Sequence, residues 1–156
     1  MNKEEFAQIV MDSKDSLFRV SFSILGNETD CEDAVEEAIT LAFTKLNTLK
    51  QEKYAKTWLI KILIRECYKV LRHKKRAVLS DGEMDELFEF ENYEEKAEFY
   101  ELYAALDKLS KEERTVVTLF YFEEYSIKEI AGITRSTTGT VKSRLSRARK
   151  HLKNLL

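Results

Sequence analysis

A chain of 156 residues with no proline and only four glycines lacks the turn punctuation that strand-rich folds need. That scarcity predicts an all-α chain with short connections. Apolar residues make up 44% of the sequence, enough for packed cores, and charged residues 35%. The length suits one medium domain or two small ones.

Apolar side chains at three- and four-residue spacing mark out the helices. Residues 3–25 read as one long amphipathic helix through Phe6, Ile9, Val10, Leu17, Val20 and Ile24, capped at Gly26-Asn27. Asp30 is expected to open the next helix, with acids in its first turn where the helix dipole favours them. Its expected buried stripe is Val35, Ala38, Ile39, Ala42, Phe43 and Leu46. A polar stretch, Asn47 to Lys53, breaks the pattern. A third helix then runs from about Tyr54 to Lys75, with Trp58, Leu59, Ile62, Leu63, Cys67, Val70 and Leu71 on its apolar face. These helices give a first domain, residues 1–76. Residues 77–95 are acidic and aperiodic, which reads as an extended linker. A second domain, residues 96–156, begins with a helix carrying Phe99, Leu102, Tyr103 and Leu106. Ser110-Lys-Glu-Glu113 and Ser126-Ile-Lys-Glu129 read as capping boxes for two further helices, and Ser136 is the expected N-cap of the last one.

Net charge is only −2, but its distribution is informative. Residues 1–43 carry 3 basic and 10 acidic side chains, and residues 44–76 carry 11 basic and 2 acidic. Residues 77–100 return to 1 basic and 9 acidic, and residues 101–156 hold 11 basic and 7 acidic. Any one run is explained by a solvated face. Two basic blocks on predicted helices point instead to two separate phosphate contacts.

The last two helices are short, joined by a tight turn and close to the C-terminus, as in a helix-turn-helix. In the run from Thr137 to Lys150, Val141, Leu145 and Ala148, with Leu152 beyond, share an inward face. Lys142, Ser143, Ser146, Arg147 and Lys150 lie opposite. Ala131 supplies the small side chain that lets the two helices cross closely, and Gly139 admits another backbone, protein or DNA. On spacing, Ser143, Ser146 and Arg147 are the base-contact candidates, and Lys142, Arg144 and Arg149 the phosphate contacts. A basic helix alone is weak grounds for DNA binding. The capped short helix before it, with Ala131 in place, makes the combination specific.

Cys31 and Cys67 have no second Cys or His at ligand spacing, so neither a metal site nor a disulfide is expected. Cys67 reads as a core residue and Cys31 as a candidate exposed thiol. His73 and His151 lie among basic residues and read as solvated. No nucleophile–base pair or glycine-rich phosphate loop appears, which disfavours an enzyme, a small-molecule substrate or a cofactor. Neither a secretory leader nor an apolar run of ~20 residues is visible, so a cytoplasmic protein is expected.

The stretch AALDKLSKEERTVVTLFYFEEYSIKEIAGITRSTTGTVKSRLSRARKHL resembles the C-terminal domain of extracytoplasmic-function sigma factors, most specifically in YSIKEIA followed by GTVKSRLSRAR. LFRVSFSILGNETDCEDAVEEAITLAFTKL and KTWLIKILIRECYKVLRHKKR resemble the N-terminal half of the same family, in the same order. The resemblance implies a dissociable promoter-recognition subunit of bacterial RNA polymerase. Asp33, Glu36 and Glu37 would meet the basic clamp helices of the largest catalytic subunit, and the flap of the second-largest subunit would be a further contact. Asn47, Thr48 and Lys53 would lie in the loop that captures a flipped −10 base. Lys56, Lys61, Arg65, Lys69 and Arg72, with Lys74, Lys75 and Arg76, would hold the DNA backbone. Trp58 would either stack on a base or pack in the core, and its apolar face favours the core. The C-terminal domain would read the −35 element, and the acidic linker would follow the polymerase's RNA exit path or act as a flexible tether. Arg135 stands where the family often has Gly, which implies a positive-φ turn. An anti-sigma factor is a further implied partner. The competing reading is a stand-alone helix-turn-helix regulator that binds duplex DNA without polymerase.

Overall fold

The computed structural model describes residues 1–81 and 100–155, with side chains for 1–77 and 101–154. No strand occurs among the described residues. Four helices form the N-terminal unit: α1 (Lys3–Asp12), α2 (Lys14–Leu25), α3 (Glu28–Thr44) and α4 (Ala55–Asp81). Four more form the C-terminal unit: α5 (Tyr100–Asp107), α6 (Lys111–Val117), α7 (Ile127–Thr134) and α8 (Thr138–Leu155). No helix among the described residues is long and apolar enough to cross a membrane.

The single helix expected over residues 3–25 is two helices. At Ser13 the backbone turns to φ −98° and ψ 2°, and the hydroxyl donates to the Ile9 carbonyl at 2.6 Å. A buried serine that bonds the preceding turn competes with the helical ladder, and no added residue disturbs the apolar period across the break. Gly26 caps α2 as expected, at φ 68° with its N–H on Phe22 O at 2.8 Å. The start of α3 moves from Asp30 to Asn27, whose side chain accepts from Asp30 N at 2.9 Å.

The fully buried stripe of α3 is Cys31, Ala34, Ala38 and Ala42, whereas Val35, Ile39, Phe43 and Leu46 are only half-buried. Small side chains let α3 lie close against α2 and α4. From α4, Leu59, Ile60, Leu63 and Cys67 complete this core. Trp58 packs edge-on against Phe6 at 5.8 Å, so the core reading of that residue holds. Helix α4 continues to Asp81 instead of ending near Lys75, because no helix-breaking residue occurs before Gly82. The rest of the expected linker, 82–95, lies outside the described residues.

In the C-terminal unit the box at Ser126 and Glu129 forms on both sides, at 2.9 and 3.1 Å. Only half of the Ser110 box forms, since the Glu113 carboxylate instead meets His151 Nδ1 at 3.0 Å. His151 is therefore partnered, contrary to the expectation of a free solvated ring. Helix α6 runs into one π turn, Thr118–Phe122, that closes with Glu123 N on Thr118 O at 3.0 Å.

The two units share one apolar cluster. Helix α2 is buried from Val20 to Leu25 on both faces, with the C-terminal unit covering the second. Its serines answer their own hydrogen-bonding needs, Ser21 Oγ donating to Leu17 O at 2.8 Å and Ser23 Oγ to Val20 O at 2.9 Å. Phe22 meets Tyr103 edge-on at 4.8 Å. The buried Arg114 guanidinium donates to Ile24 O at 3.0 Å and to Leu109 O at 2.9 Å, capping the open end of α2. Around these lie Arg19 Nε to Glu123 Oε2 at 2.8 Å, Tyr68 Oη to Thr115 Oγ1 at 2.7 Å and Thr57 Oγ1 to Tyr125 Oη at 3.2 Å.

Both cysteines are buried, which corrects the expectation of an exposed Cys31. Burial pushes the Cys31 thiol up to about 12, partly opposed by a hydrogen bond with Ser21, and burial also raises Cys67 well above its ordinary value. An aromatic disulfide reagent should thus label neither thiol in the native protein and both in guanidinium; prompt native labelling of Cys31 would contradict its placement. Because folding favours the protonated thiol, this contribution to stability is intact below pH 9, the ordinary thiol value. It is lost as pH rises from 9 toward 12. Ala38→Leu overpacks the α3 contact and should cost about 1–3 kcal/mol in denaturant melts, whereas the half-buried Ile39→Leu should cost under about 1.5 kcal/mol.

Candidate nucleic-acid interface

The helix-turn-helix is α7, the turn at Arg135, and α8. Arg135 adopts φ 55° and ψ 45°, the left-handed conformation implied by the sequence. The N-cap of α8 is Thr137 and not Ser136: Thr137 Oγ1 accepts from Thr140 N at 3.1 Å. Ser136 is turned back onto Thr134 Oγ1 at 2.8 Å. Val141, Leu145 and Ala148 are buried, and Ala131 is buried at the α7–α8 crossing. A side chain built at Gly139 would meet only Thr137 Oγ1, at 3.8 Å. Packing within the protein therefore does not require that glycine.

Lys142, Ser143, Ser146, Arg147, Arg149 and Lys150 are exposed on the outer side of α8. Arg149 is held in place: its Nε donates to Tyr121 Oη at 2.6 Å, and its guanidinium lies 5.9 Å from the Phe120 ring and 5.7 Å from that of Tyr121. Arg144 departs from this group. It is half-buried and points back across α7 toward α4.

In the N-terminal unit, Asn47 and Thr48 are exposed on a 3-10 turn, Leu46–Thr48, closed by Thr48 Oγ1 donating to Lys45 O at 2.7 Å. A second turn, Glu52–Tyr54, carries Lys53 with its Nζ 5.0 Å from the Tyr54 ring centre. Tyr54 is 50% exposed, so the solvent-facing aromatic of this segment is Tyr54 and not Trp58. Its signal was its place at a helix start, off the apolar face. Along α4, Lys61, Arg65, Lys69 and Arg72 form one stripe, with Lys56 exposed in the first turn. Lys69 lies 3.7 Å from Glu66, and Lys74 forms an ion pair with Asp30 of α3 at 2.5 Å, which takes Lys74 out of the free cations.

Asp33, Glu36 and Glu37 are exposed on the outer face of α3. Between α3 and the α1–α2 pair lies an apolar groove of about 400 Å³ floored by Leu17, Phe18, Val35 and Ile39, with Glu32 and Glu36 on its rim. No group of three or more His, Cys, Asp or Glu among the described residues could hold a metal ion.

These surfaces fall on two segments with known relatives. Residues 9–77 match the family described as Sigma-70 region 2, and residues 99–152 match Sigma-70, region 4. The RNA polymerase sigma factor SigV of Bacillus subtilis is 36% identical over 143 residues, spanning 90% of this chain and 84% of SigV. The chain belongs to the extracytoplasmic-function sigma factors of the sigma-70 family. The ECF sigma factor SigW of Bacillus subtilis is 28% identical, over 99% of this sigma factor and 90% of SigW. The sigma factor RpoE from Bartonella quintana, solved in complex with the anti-sigma factor NepR, superposes with a TM-score of 0.83 at 27% identity, covering 97% of this chain and 96% of RpoE. This is an RNA polymerase sigma factor, and a stand-alone regulator is not favoured: acidic α3 and the basic block on α4 both lie within the segment that matches Sigma-70 region 2.

Proposed function

We propose that this sigma factor reads a bipartite promoter with two surfaces, residues 1–76 serving the −10 element and the core polymerase and residues 96–156 serving the −35 element. The observation that carries this reading is the pair of exposed basic surfaces, on α4 and on α8, each within its own matched sigma-70 region. On α8, Ser143, Ser146 and Arg147 read base edges while Lys142, Arg144 and Arg149 hold phosphates. Tyr121 preorganises Arg149 for that task. In the N-terminal unit, Asn47, Thr48 and Lys53 receive the −10 base and the exposed Tyr54 stacks on it. Lys56, Lys61, Arg65, Lys69 and Arg72 hold the backbone.

Asp33, Glu36 and Glu37 dock on the basic clamp helices of the polymerase, and the C-terminal unit engages the flap. The acidic segment 77–95 follows a positively lined path in the polymerase. The protein works in the cytoplasm, has no catalytic role of its own and needs no cofactor. RpoE being solved with an anti-sigma factor supports such a partner here.

A −35 and a −10 element about 25 base pairs apart lie roughly 85 Å from one another. A compact chain of this length has a radius of gyration of only ~15 Å. The arrangement in which Lys61 and Arg65 border the same cavity as Arg144 therefore cannot serve both elements at once. The two units separate on the promoter.

Adding the protein to core polymerase should give initiation from a bipartite promoter; duplex binding without any initiation would refute the reading. Arg147→Ala should cost about 1–3 kcal/mol against the cognate −35 sequence and relax its discrimination. Lys142→Ala should weaken cognate and scrambled duplexes alike. Equal effects of Arg147→Ala on both duplexes would remove its base-reading role.

A further inference from the structure

Between α4 and the helix-turn-helix lies a cavity of about 240 Å³. Lys61 and Arg65 border it from α4, Arg135 from the left-handed turn, and Arg144 from α8. Four cations thus converge from two helical units, with Glu112 as the one carboxylate on the wall among the described residues. None of the four makes an ion pair among the described residues, and Glu112 pairs with none of them. The remaining polar walls are already committed, Tyr68 to Thr115 and the Thr134 hydroxyl to the Ile130 carbonyl. Burial, with the positive charges of Arg135 and Arg65, pulls the Lys61 ammonium below its ordinary value.

Like charges gathered around one cavity repel; the half-buried Lys61 and Arg144 feel this most, while Arg65 and Arg135 remain exposed to water. The apolar and hydrogen-bonded contacts of the junction hold these cations together against it. An anion entering the cavity would turn the unfavourable term into a favourable one. The volume equals about eight waters of liquid, room for a compact ion carrying more than one phosphoryl group. Three guanidinium forks favour phosphate oxygens over a spherical halide, since each fork can donate two parallel hydrogen bonds.

We propose that this cavity binds a small, multiply charged phosphate anion, which ties α4 to the helix-turn-helix. The ligand neutralises Lys61, Arg65, Arg135 and Arg144 together, so it binds only while the two units are packed. This much stands on the geometry alone. The consequence that the anion competes with promoter DNA rests on the reading of Arg144, Lys61 and Arg65 as backbone contacts.

Inorganic pyrophosphate is the probe, titrated into the full chain by calorimetry in divalent-free buffer, with potassium chloride holding ionic strength constant. Saturable binding of one pyrophosphate per chain is expected, with a rise in the thermal midpoint beyond that from chloride. The double variant R65Q/R144Q should bind roughly tenfold or more weakly while melting no lower than the parent without ligand, because repulsion is relieved. Should that variant fail to fold, Lys61→Gln takes its place, with the same direction of change. A control with two exposed α8 cations removed, R147Q/K150Q, should bind pyrophosphate as the parent does. Pyrophosphate acting no differently from chloride, or binding equally to R65Q/R144Q, would overturn the site. Binding that the R147Q/K150Q control weakens as much would overturn it too, since the contact would then be diffuse. Pyrophosphate that binds as expected but leaves duplex affinity unchanged would retain the site and remove the competition, separating this inference from the promoter reading.

Discussion

Helix α2 is the constraint on which the rest of this structure turns. From Val20 to Leu25 every side chain is buried, so the helix has no solvent face and must be covered on both sides. One side goes to α3 and α4. The other, led by Phe22, is covered by α5, α6 and the π turn. A four-helix N-terminal unit alone would leave Phe22 and Leu25 without a layer. The C-terminal unit supplies it, together with a guanidinium that caps the carbonyl end of α2.

With α2 sealed on both faces, the charged surfaces have little choice of position. The small stripe of α3 draws it against α4 and turns Asp33, Glu36 and Glu37 outward. The apolar face of α4 turns inward, so Lys61 and Arg65 emerge on the side nearest α7 and α8, while Lys74 reaches Asp30 of α3. Acidic and basic surfaces are thereby held on different faces of one small molecule. A subunit that must meet both a protein surface and DNA gains from that segregation, because like-charged contacts with the wrong partner are avoided.

Apolar spacing made most helices legible, and the inward face of α8 follows its pattern, but the break at Ser13 and the Cys31–Ala34 side of the α3 stripe were not. The N-caps were less so. Asn27 displaced Asp30, three positions on, and Thr137 displaced Ser136, one position back; both displaced residues cap equally well, and only the geometry of the incoming chain decides between them. Cys31 was misjudged because a helix start is usually exposed, and nothing local reveals that α2 lies over it. The same omission hid the junction: Phe22 and Leu25 fall outside the single stripe sought in residues 3–25, and the serines between them look polar. Their hydroxyls bond to the preceding turn and so enter the core without penalty. His151 was placed in solvent because its partner Glu113 lies 38 residues away. Of the α8 residues proposed to contact DNA, spacing identified the exposed ones but not the inward turn of Arg144, which depends on how the units meet.

The same packing sets the energetic terms for promoter engagement. The polar contacts of the junction weigh little when the units part, because water replaces each hydrogen bond at small net cost. Arg19 and Glu123, an ion pair open to solvent on the arginine side, add little either. Apolar surface decides: uncovering Phe22 alone costs about 1.5–3 kcal/mol, and Leu25 adds a comparable amount. Against this stands the repulsion among Lys61, Arg65, Arg135 and Arg144, which separation relieves. Phosphates that capture those cations favour the open arrangement when they belong to DNA stretched between two elements. They favour the packed one when a single small ion satisfies all four. Charge and apolar burial pull in opposite directions across this junction, and the span of the anion determines which arrangement prevails.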